Sequence, residues 1–230
     1  MKRSRINEII RDGDAFIRSF GFRLPPFAYW SPRELAERRP EGIVGARLGW
    51  DITDYGQDRF DELGLFLFTL RNGRAADLAR GSGMLYAEKI MISRKDQLSP
   101  MHRHVVKAED IINRGGGSLV LELHASLADG GIDAEAPVTV PCDGVERTLP
   151  AGGRLSLEPG ESVTLLPGIW HAFWAEGADV LIGEVSMVND DLTDNVFATP
   201  LPRFSEIEED EAPLRLLVSD YDAWMKGSAG

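Results

Sequence analysis

Cysteine is almost missing from this 230-residue chain: the single Cys142 excludes an intramolecular disulfide and any multi-cysteine zinc site, and fits a reducing compartment. Positive charge is also scarce, with 25 Lys and Arg against 37 Asp and Glu and a formal net charge of −12. A surface of that sign repels phosphate backbones and anionic lipid, so neither nucleic acid nor a membrane is an expected partner. No run approaches the roughly 20 apolar residues that span a bilayer. The opening MKRSRINEIIRDG returns to charge too soon for the apolar region of a signal peptide, so the expected location is the cytoplasm. Histidine is rare too, four in all, so its placement carries information. What remains, 43% hydrophobic and 27% charged residues, is ordinary globular composition with length enough for one large domain.

Residues 4–20 carry Ile6, Ile9, Ile10, Phe16, Ile17 and Phe20 at mostly helical spacing, with Ser4 as candidate N-cap and Gly21 as the stop. After the Pro-rich LPPFAYW, Ser31-Pro32 opens a second, short helix by the rule of a cap followed by Pro at the first position. From about residue 43 the grammar changes to short runs of Val, Ile, Leu and Phe broken by Gly, Asp, Asn and Pro. Strands are expected near 43–49, 64–70, 84–92, 104–106, 118–124, 137–141, 145–149, 154–157, 162–166, 171–175 and 180–187, with a hairpin turn through Asp143-Gly144. Many short strands without interposed helices predict an all-β dominated antiparallel barrel or jelly roll with a small N-terminal helical cap. The acidic run EIEEDE reads as a solvated face, and APLRLLVSDYDAWM as a last strand or helix.

Two of the four histidines fall in PMHRHVVKAEDIINRGGG, as His102 and His104, with Glu109 five residues on; a third, His171, lies in PGESVTLLPGIWHAFW. Alternation along a strand puts both imidazoles of His-x-His on one face, and a carboxylate after the next bend can close the site. Three His and one Glu suit a divalent Mn, Fe, Ni, Co or Zn with coordination positions left open. The fourth, His124, alternates with Leu121 and Leu123 and reads as structural.

His102-x-His104-x4-Glu109-x5-Gly115, followed by His171 after Pro167-Gly168, resembles the two motifs of the cupin superfamily; Asp96 and Leu166 stand where cupins usually have Gly and Pro. Over nearly the whole chain, LPPFAYWSP, LGWDIT, LFTLRNG, YAEKIM, PMHRH, KAEDIINRGGG, PGES, WHAFWAE, GEVSMVNDD and LPRF resemble, in order, the bacterial D-lyxose isomerase family. The resemblance implies a cupin-type barrel over 41–230, with 1–40 as a helical segment packed on it and the whole as a single domain. It implies a divalent metal, commonly Mn2+, on His102, His104, Glu109 and His171, and interconversion of D-lyxose with D-xylulose, with D-mannose and D-fructose as a second pair. Arg103, Val105 and Val106 differ from relatives, which leaves the preferred sugar open. A homodimer is expected, partly from the resemblance and partly because open sheet edges are hazardous.

Moving a hydrogen between adjacent carbons needs either a hydride path or a base at carbon, and proton transfer to oxygen needs a second donor or acceptor. Lys107 shares strand parity with Glu109, and Glu184 shares a face with Ile182 and Ser186; these two are the catalytic candidates. Without a paired cation, burial would raise the pKa of Glu184, which suits a general base. Of the neighbours Glu88 and Lys89 only one can face the interior, and Lys89 is the candidate sugar contact. Asn189, Asp190, Asp191 and Arg203, in loops after the barrel strands, are candidate lid or hydroxyl-binding groups. Two other readings share the ligand set: an Fe(II) cupin dioxygenase and a non-catalytic sugar-binding or transport auxiliary protein.

Overall fold

Eleven strands and five α-helices are assigned among residues 1–190 and 193–227, which the computed structural model describes. The helices are α1 (Arg3–Ser19), α2 (Pro32–Arg38), α3 (Glu41–Gly45), α4 (Ala75–Arg80) and α5 (Tyr221–Gly227). The strands run β1 (Gly49–Thr53), β2 (Leu65–Asn72), β3 (Tyr86–Ser93), β4 (Ser99–His104), β5 (Glu109–His124), β6 (Val138–Cys142), β7 (Val145–Leu149), β8 (Gly153–Leu157), β9 (Ser162–Leu165), β10 (Trp170–Met187) and β11 (Asn195–Phe197). The named strands pair antiparallel with one another; the short helix α4, which the sequence pattern did not predict, links the antiparallel neighbours β2 and β3 and makes no parallel crossover.

Two long strands organise the sheet. β5 and β10 pair along almost their whole lengths, Trp170 opposite His124 at one end and Ser186 opposite Glu109 at the other. On its other edge β10 takes β4 beside its first half and β3 beside its second, so the sheet curls and brings β3, β4, β5 and β10 around one interior. The curl needs the glycine run: at Gly116, φ is +109° and a Cβ would lie 2.0 Å from the Asp179 carbonyl oxygen, a distance no side chain tolerates. That crossing lies where the pairing register shifts between Glu176 and Val180.

The interior is filled by Leu67, Met91, Ile111, Leu119, Leu121, Phe173 and Ile182, with Val138, Val140 and Cys142 of the β6–β7 hairpin packed against them. Phe66 and Phe68 of β2 face the other way and meet Ile6, Ile9, Ile10 and Ile17 of α1. Burial on both faces explains the unbroken apolar run LFLF, and each fully buried Ile contributes about 1.5–3 kcal/mol. Gly13 lets the helix sit this close, since a Cβ there would stand 2.3 Å from the Phe66 ring.

Several local expectations change. The stretch 43–49 is not a strand: Arg39 takes a left-handed φ of 44°, Pro40 follows, and α3 forms before β1 begins at Gly49. The strand expected at 104–106 lies earlier, at Ser99–His104, and the separate strands at 171–175 and 180–187 are one. Ser4 does not cap α1, whose N-cap is Lys2; its hydroxyl donates to Asp210 instead, 2.7 Å. Ser31 does cap α2, in a reciprocal box with Glu34. The acidic run is only partly solvated, because Glu209 pairs with the buried Arg3 at 2.6 Å. Asp143 (φ 50°) and Gly144 (φ 83°) form the expected hairpin turn.

Candidate active site

Strand register places the histidines. His171, the second residue of β10, lies directly opposite His102 of β4, and His104 lies two residues along on the same face. The candidate ligand atoms of His102, His104 and His171 all fall within 4.8 Å of one another. Glu109, first residue of β5, brings Oε1 to 3.2 Å from His104 Nε2 and 3.3 Å from His171 Nε2. Ligands ~2.1 Å from one ion and at right angles about it stand ~3 Å apart, so this spacing fits a shared divalent cation. The ring tautomers fit as well. His102 Nδ1 lies 2.8 Å from the Pro100 carbonyl and His171 Nδ1 3.1 Å from that of Ile169. A carbonyl only accepts, so both Nδ1 atoms carry the proton and both Nε2 lone pairs point into the site.

Electrostatics favour the neutral rings of His102 and His104 and the ionised carboxylate of Glu109. Enclosure of the His102 ring, with His171 and His104 alongside, pushes its pKa well below 6.5, and burial lowers that of His104 too. Burial alone would raise Glu109, but the Lys107 ammonium, then His104, hold its carboxyl well below the usual range.

Beside the histidines runs a second buried cluster. Glu184 of β10 lies opposite Lys89 of β3 in the register, and Lys89 Nζ sits 3.1 Å from Glu184 Oε1. Lys107, in the turn between β4 and β5, reaches the same oxygen at 3.0 Å and Glu109 Oε2 at 2.7 Å. Lys89, Lys107, Glu109 and Glu184 are each at most 4% exposed. The condition under which burial was expected to raise Glu184 therefore does not hold, since two ammonium groups face it. Lys89 turns inward and Glu88 outward, where Glu88 pairs with Arg71 at 2.9 Å.

Asn189 Oδ1 accepts from Lys89 Nζ at 2.7 Å and Lys107 Nζ at 3.3 Å, and its backbone is held by a two-way bond with the Asn72 side chain, 2.9 Å each way. Arg203 lines the same pocket and pairs with the buried Asp51 at 2.6 Å. Asp190 is not among the pocket-lining residues; its carboxylate accepts from the Thr193 backbone and hydroxyl within its own turn. Asp191 lies outside the described residues. Arg103 points away from the histidines, over the Trp170 ring at 5.3 Å and onto the Gly130 carbonyl. His124 stands apart from the site, near Glu122 at 3.5 Å.

Sequence reasoning missed Asp51, Tyr55, Asn72, Asp194, Asn195 and Phe197. Asp51 had a signal, a carboxylate between Trp50 and Ile52 in a strand buried from end to end. Tyr55 and Phe197, whose rings meet edge-on at 5.5 Å, wall the pocket from segments far apart in the chain and had none.

The arrangement offers a candidate three-histidine cation site, with Glu109 against two of its rings, next to a relay of buried ammonium and carboxylate groups inside an apolar wall. Residues 1–221 match the family model for D-lyxose isomerase. A D-lyxose/D-mannose isomerase of Serratia proteamaculans is 50% identical over 226 residues, covering 96% of this chain and 98% of that protein. A second, from Escherichia coli O157:H7, is 46% identical over the same shares. Among solved structures, the L-ribose isomerase of Acinetobacter sp. DL28 in complex with L-ribose superposes with a TM-score of 0.61 at 16% identity, covering 90% of this chain and 98% of that one. At that identity the likeness speaks for the cupin-like barrel alone.

Proposed function

The chain belongs to the D-lyxose isomerase family and is a sugar isomerase; from that premise we propose that it interconverts D-lyxose with D-xylulose, and D-mannose with D-fructose, at a divalent metal held by His102, His104, Glu109 and His171. The observation that carries this reading is the convergence of three imidazoles, with Glu109 against those of His104 and His171, beside Glu184 with its two lysines. Manganese is the proposed ion, with Co, Fe, Ni or Zn compatible with the same donors. When bound, the cation supplies Lewis-acid polarisation of the sugar oxygens.

The protein's own groups then move two protons. Glu184 takes the proton from C2 of the open-chain aldose as Lys107 gives one to O1, which yields the enediol. Glu184 returns its proton to C1 while Lys107 recovers one from O2, which yields the ketose and restores both groups. Lys107 Nζ and Glu184 Oε1 are 3.0 Å apart, close enough to serve neighbouring atoms of one substrate. Lys89 orients Glu184 and binds a sugar hydroxyl, and Arg203, which lines the pocket, forms the outer, hydroxyl-binding part of the site. Phe173, Phe197 and Tyr55 exclude water from the reacting carbons. D-mannose repeats the C2–C4 configuration of D-lyxose and adds a hydroxymethyl group at C5, so one site serves both if its far wall admits that group.

The same reading takes the protein as a cytoplasmic homodimer, each chain one domain with residues 1–40 packed on the 41–230 barrel. Its support is the acidic surface, the lone cysteine and the open sheet edges. No helix among the described residues is long and apolar enough to cross a membrane. The test is product identity. Manganese-loaded protein is incubated with D-lyxose and with D-mannose; D-xylulose and D-fructose are expected, and recovery of both aldoses unchanged would refute the proposal.

A further inference from the structure

We infer that Asp194 is a positioning residue for Lys107, an inference that deepens the isomerase reading and rests on it. Lys107 stands in the link between His104, where β4 ends, and Glu109, where β5 begins. Backbone amides in such a link have no ladder partner. Here one carboxylate takes three in succession: Asp194 Oδ1 accepts from Val105 N–H at 3.0 Å and Val106 N–H at 2.7 Å, and Oδ2 from Lys107 N–H at 2.9 Å, with Val105 N–H shared with the Asp194 backbone carbonyl at 3.3 Å.

Nothing apolar holds this turn, because the Val105 and Val106 side chains are 51% and 54% exposed, while Lys107 itself is 3% exposed. A buried ammonium on an otherwise exposed turn needs its backbone fixed from below, and the carboxylate of Asp194, 8% exposed, does so. Asp194 is itself anchored. Its N–H donates to the Asp190 carbonyl at 3.0 Å, and the next residue, Asn195, opens β11 opposite His104. The turn is thereby referenced to the strand that bears the histidines, and Lys107 Nζ is held at once to Glu109 and Glu184. Only a carboxylate has two acceptor oxygens for three donors. In Asp194→Asn the carboxamide oxygen serves one side, and its NH2 group opposes an amide N–H on the other.

The test uses the manganese-loaded full chain. Asp194→Asn is expected to lower kcat on D-lyxose on the order of tenfold or more, with KM and bound manganese within about threefold of wild type. Amide hydrogen exchange at Val106 and Lys107, the two amides held by the carboxylate alone, is expected to speed up on the order of tenfold. Unchanged exchange at those amides would overturn the inference, as would faster exchange with kcat within about twofold of wild type, or a rise in KM and loss of metal that account for the whole defect. Should Asp194→Asn not fold, Asp194→Ser, which keeps one acceptor, carries the same readouts. Lys107→Met is measured in parallel. Wild-type kcat there would remove Lys107 from the proposed reaction, a failure that the exchange data on Asp194 do not share.

Discussion

Glu184→Gln removes one negative charge from between two buried ammonium groups and leaves shape and one oxygen in place. In the native protein that carboxylate lies 3.1 Å from Lys89 Nζ and 3.0 Å from Lys107 Nζ. Removing one partner of a buried ion pair costs about 3–5 kcal/mol. The lower end applies, because Asn189 still accepts from both lysines and Glu109 from Lys107. For a chain of this size each kcal/mol lowers Tm by about 2–4 °C, so a fall of about 6–12 °C is expected. Turnover should fall more steeply: the variant loses the group proposed to take the C2 proton, and general-base catalysis contributes about 10²–10⁴-fold. KM for D-lyxose should change little. Turnover with manganese bound is read by ketose formation and stability by a thermal melt on the same sample. A kcat within about tenfold of wild type would remove Glu184 from the proton path, and an unchanged Tm would contradict the charge account of the cluster.

Three further outcomes follow from the same geometry. The metal-free protein should lose Tm on acidification. Its folded His102 and His104 resist protonation that the unfolded chain accepts near pH 6.5, and folded Glu109 stays ionised below 4.5, so acid favours the unfolded state in both windows; a flat Tm from pH 7 to 4 would contradict this. Arg3→Met strips the guanidinium from Asp220, held at 2.8 and 2.9 Å and 8% exposed, and should cost about 3–5 kcal/mol in urea unfolding, against under about 1 kcal/mol if the contact is incidental. Gly13→Ala would ordinarily stabilise a helix by about 1 kcal/mol. Here the new methyl meets the Phe66 ring, and net destabilisation on the order of 1 kcal/mol is expected, so a raised Tm would refute the packing argument.

The clustered histidines were legible because strand periodicity needs no tertiary knowledge: His-x-His shares a face wherever the strand begins, even though β4 proved to end at His104 rather than start there. Glu184 was legible for the same reason, as a charge at alternating spacing in an apolar strand. Lys107 reached the site by a route that parity did not describe, since it occupies a turn rather than a strand. Asp194 and Asn72 were invisible because their roles are bonds to backbone and to loop residues distant in sequence, and an Asp or Asn in a loop reads as turn chemistry. The strand expected at 118–124 is the second half of β5, which runs from Glu109 through the glycine run to His124. At 43–49, IVGARLG had strand composition, but Arg39 and Pro40 set a helical turn first.

The central claim, that His102, His104, Glu109 and His171 hold one cation on which isomerisation depends, is tested most directly by titrating manganese into chelator-stripped protein while ketose formation from D-lyxose is followed. Activity should rise from baseline in proportion to bound metal and level off at one ion per chain, and His102→Ala should lose that high-affinity rise. Full turnover in the stripped protein, or an unaltered titration in His102→Ala, would contradict it.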